Sequence, residues 1–169
     1  MVKPNNLRKV SIARLKQEMQ DTVFLSDDLA ITTIDYLRNP TSEIPVSLDG
    51  FAAMIMMSGS AVLSIDTETY EVRPNMLVFF RPGSIIRTIR CSSDATAYLV
   101  ACSKAFVSDI QVDISASLPI HMRFGRKPCL QVTERDVAEI RQFFQLIKTV
   151  IQSDKERYRK EIIHTLFTA

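Results

Sequence analysis

The stretch FAAMIMMSGSAVLSIDTETYEVRPNMLVFFRPGSIIRTIR, residues 51–90, decides the fold. It reads as strand, a Ser58-Gly59 turn, strand, an Arg73-Pro74-Asn75 turn, strand, a Pro82-Gly83 turn and strand. Short strands at such regular spacing predict an all-β sandwich or barrel. Within the first strand, alternation puts Phe51, Ala53, Ile55 and Met57 on one face and Ala52, Met54 and Met56 on the other, so both faces are apolar. Methionines packed this densely either fill an irregular core or line an adaptable pocket for an apolar ligand, and both readings stand open.

Upstream, Ile12, Leu15 and Met19 recur at helical spacing behind Ser11, which predicts a short amphipathic helix over 11–20. The β-branched run from Leu29 to Leu37 predicts a strand that ends at Asn39-Pro40, with a loop over 41–45. Downstream, residues 95–102 alternate as a further strand, and Ser103 to Phe106 begins a helical turn. An aperiodic connector with Pro119, Gly125 and Pro128 spans 113–128 and separates sheet from helices. Thr133 and Asp136 then form a capping box with Asp in the place of Glu, ahead of Val137, Ile140, Phe144, Ile147 and Ile151 at spacings of three and four. Phe143, Leu146 and Val150 widen that apolar face beyond what one packing partner requires. The width predicts either a helix-mediated homodimer or closer packing on the connector and on a last helix, which begins near Asp154 and stops at Ala169.

The chain has 169 residues, of which 46% are hydrophobic and 24% charged, so it is long enough for a real core and too apolar for disorder. Lys and Arg total 21 against 19 Asp and Glu, a net charge of +2, which is too little basic excess for a strong grip on nucleic acid. Cys91, Cys102 and Cys129 are odd in number and widely spaced, as expected of reduced, structural thiols. No apolar run approaches the roughly 20 residues needed to span a bilayer. The N-terminus lacks a signal-peptide core, so the expected location is the cytoplasm and no membrane partner is expected. Catalytic patterns are scarce: there is no GxSxG elbow, and Gly50, Gly59, Gly83 and Gly125 form no phosphate loop. His121 and His164 sit too far apart in the chain to suggest a shared site.

At Gly59, Asn75, Pro82 and Gly83 the chain resembles the cupin fold, whose second motif reads glycine, five residues, proline, any residue, glycine. Here Asn75 takes the first glycine position, Met76 to Phe80 supply the five, Arg81 replaces proline and Pro82-Gly83 closes the turn. Asn accepts the positive φ that such a turn demands. The ligating histidine that the resemblance places after the second motif falls near Ile86, and FAAMIMM offers no His or Glu, so no metal and no cofactor are expected. A cupin-like barrel without metal ligands, followed by apolar helices, is similar to the N-terminal regulatory domain of AraC-type transcription regulators. That resemblance implies effector binding or dimerisation, and DNA contact only through a C-terminal helix-turn-helix domain absent from these 169 residues, so the chain is expected to be part of a longer protein.

The resulting expectation is a mainly β, cupin-like jelly-roll barrel with a short N-terminal helix and two C-terminal helices. Residues 1–128 form the barrel unit and 129–169 a helical dimerisation unit. Met54, Met56, Phe80, Arg81 and Arg87 are the candidate effector contacts, the arginines for their planar fork. Ile140, Phe143, Phe144, Ile147 and Ile151 are the candidate dimer interface. The competing readings are a cupin isomerase or dioxygenase with a non-standard site, and a purely structural dimerisation barrel.

Overall fold

The computed structural model describes residues 7–18, 22–35, 44–109, 127–153, 161–163 and 165. The elements run β1 (Arg8–Val10), α1 (Ile12–Glu18), β2 (Val23–Leu25), β3 (Leu29–Asp35), β4 (Val46–Leu48), β5 (Phe51–Ser58), β6 (Ala61–Ile65) and β7 (Glu68–Val72). They continue as β8 (Met76–Phe80), β9 (Ile85–Cys91), β10 (Thr96–Cys102), α2 (Lys104–Asp109), β11 (Cys129–Gln131) and α3 (Glu134–Gln152). One sheet has the order β1-β4-β9-β6-β7 and the other β11-β8-β5-β10-β3-β2. The class is mainly β and cupin-like, as the turn pattern predicts.

The turns sit where the punctuation placed them. Gly59, Asn75 and Gly83 have φ of +68°, +66° and +82°. At Gly59 a Cβ would also lie 2.7 Å from the Ala95 backbone nitrogen, so space as well as dihedral requires glycine there. The region between Gly59 and Arg73 is two strands, not one: β6 and β7 form a hairpin around Asp66-Thr67, with Asp66 at φ +56°. The Asp66 backbone N–H donates to the Ile85 carbonyl at 2.8 Å and its carboxylate accepts from the Ile85 N–H at 3.0 Å, which ties the hairpin to β9. Ser11 caps α1, accepting from the Arg14 N–H at 3.2 Å.

Both faces of the second sheet are covered. Ala30, Ala52, Met54, Met56, Val78, Phe80 and Ala101 point toward the first sheet and join Leu48, Ala61, Leu63, Ile65 and Val72 in one core. Leu29 and Ile31, one residue out of step, point the other way and pack with Phe106, Phe144, Ile147, Ile151 and Ile163. Tyr98 of β10 stacks on Phe144 with ring centroids 4.4 Å apart and planes 11° from parallel.

This packing corrects the helix assignment. Phe144, Ile147 and Ile151 are 3%, 0% and 3% exposed, consumed by the chain's own sheet, while Ile140 is half-buried and Phe143 and Leu146 stand 37% and 47% exposed beside that buried face. The unit boundary moves too: Cys129–Gln131 pairs antiparallel with β8, so a strand of the sheet opens the segment expected to be wholly helical. The second C-terminal helix is represented by helical residues 161–163, with Ile163 buried against the same face. The connector over residues 113–126, with His121, and also His164 lie outside the described residues.

The capping box of α3 is formed as expected: the Asp136 N–H donates to Thr133 Oγ1 at 3.1 Å and the Thr133 N–H donates to Asp136 Oδ2 at 2.9 Å. The Thr133 backbone and hydroxyl donors hold the Asp136 carboxyl below the usual carboxylate range. A group with a lowered folded pKa stabilises above its ordinary value and loses that effect as pH falls through the folded value. Asp136→Asn is therefore expected to melt below the parent at pH 7, with the gap closing as pH drops below about 4; a pH-independent gap in thermal melts would rule this out. Phe144→Ala is expected to cost about 3–5 kcal/mol, and Leu146→Ala about 1 kcal/mol or less. Urea denaturation of both variants tests the seating of α3, and equal losses would contradict it.

Candidate functional site

The core between the sheets is not filled. In the second sheet Ala101 lies opposite Ala30 on one side and Ala52 on the other, and Ala52 lies opposite Phe80. The next inward row runs Thr32, Leu99, Met54 and Val78. Alanine is accepted on a strand but projects a single methyl, so Ala52 and Ala101 leave space in front of them. Val46, Leu48, Leu63, Ile86 and Thr88 of the first sheet close the other side. The result is a cavity of about 270 Å³, with Ile44 and Leu15 of α1 among its lining residues. Ile44 is 46% exposed, so the cavity reaches solvent on its side.

Among the described residues that line this cavity, none is charged and Thr88 is the one polar side chain. A groove of about 570 Å³ adjoins it, with Val10 and Leu48 in both linings. This groove is polar, holding Lys9, Ser11, Arg14, Ser47, Asp49 and Lys104. Within it Lys104 pairs with Asp49 at 2.9 Å in full reach of water, where such a pair contributes little.

The structure separates the expected contact residues. Met54 and Phe80 line the cavity. Met56 is fully buried in the same core but does not reach the open space. Arg81 and Arg87 correct the expectation, because neither lines it. Arg81 follows Phe80, whose side chain points in, and is exposed on the turn. Arg87 sits between Ile86 and Thr88, both of which face the cavity, so alternation turns it outward opposite Ser64. The sequence reading missed Ala52, Ala101, Ile86, Thr88 and Leu99. Parity within each strand was the available signal, but their convergence depends on register across strands far apart in the chain.

The thiols carry no evident chemistry. Burial pushes Cys102 up to about 12 and Cys129 up to about 11, so both stay protonated and poorly nucleophilic near neutral pH. Among the described residues no three His, Cys, Asp or Glu side chains gather to hold a metal ion. Nor is any described helix long and apolar enough to cross a membrane.

The model of the AraC-like ligand-binding domain matches residues 42–167, most of the chain, including strands β4 to β11. The chain belongs to the AraC-like ligand-binding domain family. As a member of that family it is a regulatory ligand-binding domain. No curated protein matches it in sequence. Similar solved structures include an apo variant of ToxT from Vibrio cholerae, at 11% identity and a TM-score of 0.49 over 83% of this chain and 53% of that one. Another is ToxT from Vibrio cholerae bound to (E)-4-(8-methylnaphthalen-1-yl)but-3-enoic acid, at 11% identity and a TM-score of 0.46 over 83% of this chain and 55% of that one. A cupin superfamily protein from Desulfitobacterium hafniense matches at 11% identity and a TM-score of 0.37 over 49% of this chain and 74% of that one. The AraC-like chain thus spans about half the length of the ToxT chains.

Proposed function

We propose that this AraC-like domain is the sensing half of a transcription regulator, holding a small, largely apolar effector between its sheets and pairing with a second copy through α3. DNA contact would then belong to a separate domain of the full protein, consistent with the modest net charge of +2 here. The cavity is the observation that carries this reading. A cavity of roughly 150 Å³ lined by Leu, Ile and Phe is enough to bind benzene, and the space here is about 270 Å³. Its lining supports binding and offers a catalyst little: aliphatic side chains, Phe80 and a threonine hydroxyl provide no acid, base or ligating group. We therefore read it as a non-catalytic module.

Pairing through α3 is supported by Phe143 and Leu146, two large apolar side chains three residues apart and exposed outside the face that packs on the sheet. Phe144 and Ile147 cannot serve both roles, being buried within the chain.

Two outcomes test the reading. Ala101→Leu, which extends a side chain into the open space, is expected to reduce uptake of a neutral fluorescent hydrocarbon such as naphthalene by about tenfold or more while the melting temperature is held or raised. Undiminished uptake would place the binding elsewhere. The double variant Phe143→Glu, Leu146→Glu is expected to sediment as a monomer with unchanged circular dichroism, and a sedimentation coefficient equal to the parent's would reject pairing through this face.

A further inference from the structure

Thr88 breaks the pattern of the cavity. It lies on β9 opposite Leu63, with Ile86 two residues away on the same inward face. Thr88 is half-buried, and valine has nearly the same shape, is as well suited to a strand and would fill the site without a polar atom. The hydroxyl therefore adds nothing the fold requires. It also makes no hydrogen bond with any described residue, and it is not sealed away from solvent. The other inward threonine differs on both counts: Thr32 is buried behind the lining, and its hydroxyl reaches the Thr33 carbonyl at 3.5 Å.

We infer that Thr88 sets the specificity of the cavity, its hydroxyl meeting the one polar group of an otherwise hydrocarbon, uncharged effector. The inference rests on the effector-binding reading above and narrows it to a chemical class: neutral compounds with a single hydroxyl or carbonyl on an apolar body. A polyhydroxylated ligand is disfavoured, because one partner cannot satisfy several hydroxyls and each left over loses its water without replacement. A carboxylate or ammonium is disfavoured more strongly, because no described lining residue carries a charge. Lys9, Arg14 and Lys104 line the adjoining groove and not this cavity. Water is the competing partner for the hydroxyl, and a ligand oxygen in its place keeps the bond while the ring or chain displaces water from the apolar walls.

The test is a cycle of two probes and two proteins, read by fluorescence titration of the purified chain. Naphthalene and 2-naphthol share a ring system and differ by one hydroxyl. Thr88→Val is expected to weaken 2-naphthol about fivefold and to leave naphthalene within about twofold, the size of one neutral hydrogen bond. Thr88→Ser keeps the hydroxyl and is expected to retain most of the preference, which separates loss of the group from disturbance of the strand. As an independent check on charge, 2-naphthoate is expected to bind the parent at least about tenfold more weakly than 2-naphthol. If both neutral probes bind and Thr88→Val changes them equally, or if the naphthoate binds more tightly, the assignment to Thr88 and a neutral ligand is overturned while the cavity reading survives. If neither neutral probe binds the parent, the cavity reading falls and takes this inference with it.

Discussion

The second sheet must be shielded on both faces, and the rest of the molecule is arranged around that requirement. Leu29, Ala30, Ile31 and Thr32 are consecutive and all buried, as are Met54, Ile55 and Met56. No single covering layer can bury residues that alternate from face to face. The first sheet shields one side and α3 the other, with Tyr98 stacked on Phe144 between sheet and helix. The family's helical segment is thus part of the fold's core before it is anything else. A helix used in this way has only the surface outside its buried face left to offer a partner.

The fold was legible because its punctuation is local. Asn75 and the two glycines at 59 and 83 fix turns by their own dihedral demands, and those residues can be recognised without knowing what surrounds them. The three-residue strands β1, β2, β4 and β11 escaped because so short a segment shows no usable period. They contribute chiefly backbone pairing at or beside the sheet edges. The β6–β7 hairpin escaped for another reason: its turn uses Asp66 in the left-handed region, a residue less conspicuous than glycine.

The site was less legible, for two physical reasons. A cavity is made by missing volume, and the alanines at 52 and 101 that leave it lie on two strands and become neighbours only through register. Small residues in a β-rich sequence look like filler until that register is known. The helix posed the complementary problem, since periodicity showed a wide apolar face and could not say which part the sheet would claim. Phe143 and Phe144 are adjacent in sequence and about 100° apart around the helix axis, and one is buried while the other is exposed. Arginine misled for the same reason that alanine was overlooked: Arg87 is chemically suited to hold an anion, but alternation places it opposite Ser64 on the outer face.

The two covered faces of the second sheet also bear on how a regulatory signal can travel. Strand β10 turns Leu99 and Ala101 toward the cavity and Tyr98 and Val100 toward the α3 side, so the two environments are separated by one backbone. A ligand that moves Leu99 acts on the same peptide units that carry Tyr98, and hence on the ring beneath Phe144. Close-packed interiors favour a few discrete arrangements over continuous deformation. An occupant therefore biases the seat of the helix only to the extent that it binds one arrangement better than another. The first sheet offers no equivalent route, because no described helix packs on its outer face, where Ser64 lies opposite Arg87. Under the proposed function, β10 links occupancy of the cavity to the seat of α3 through a single backbone.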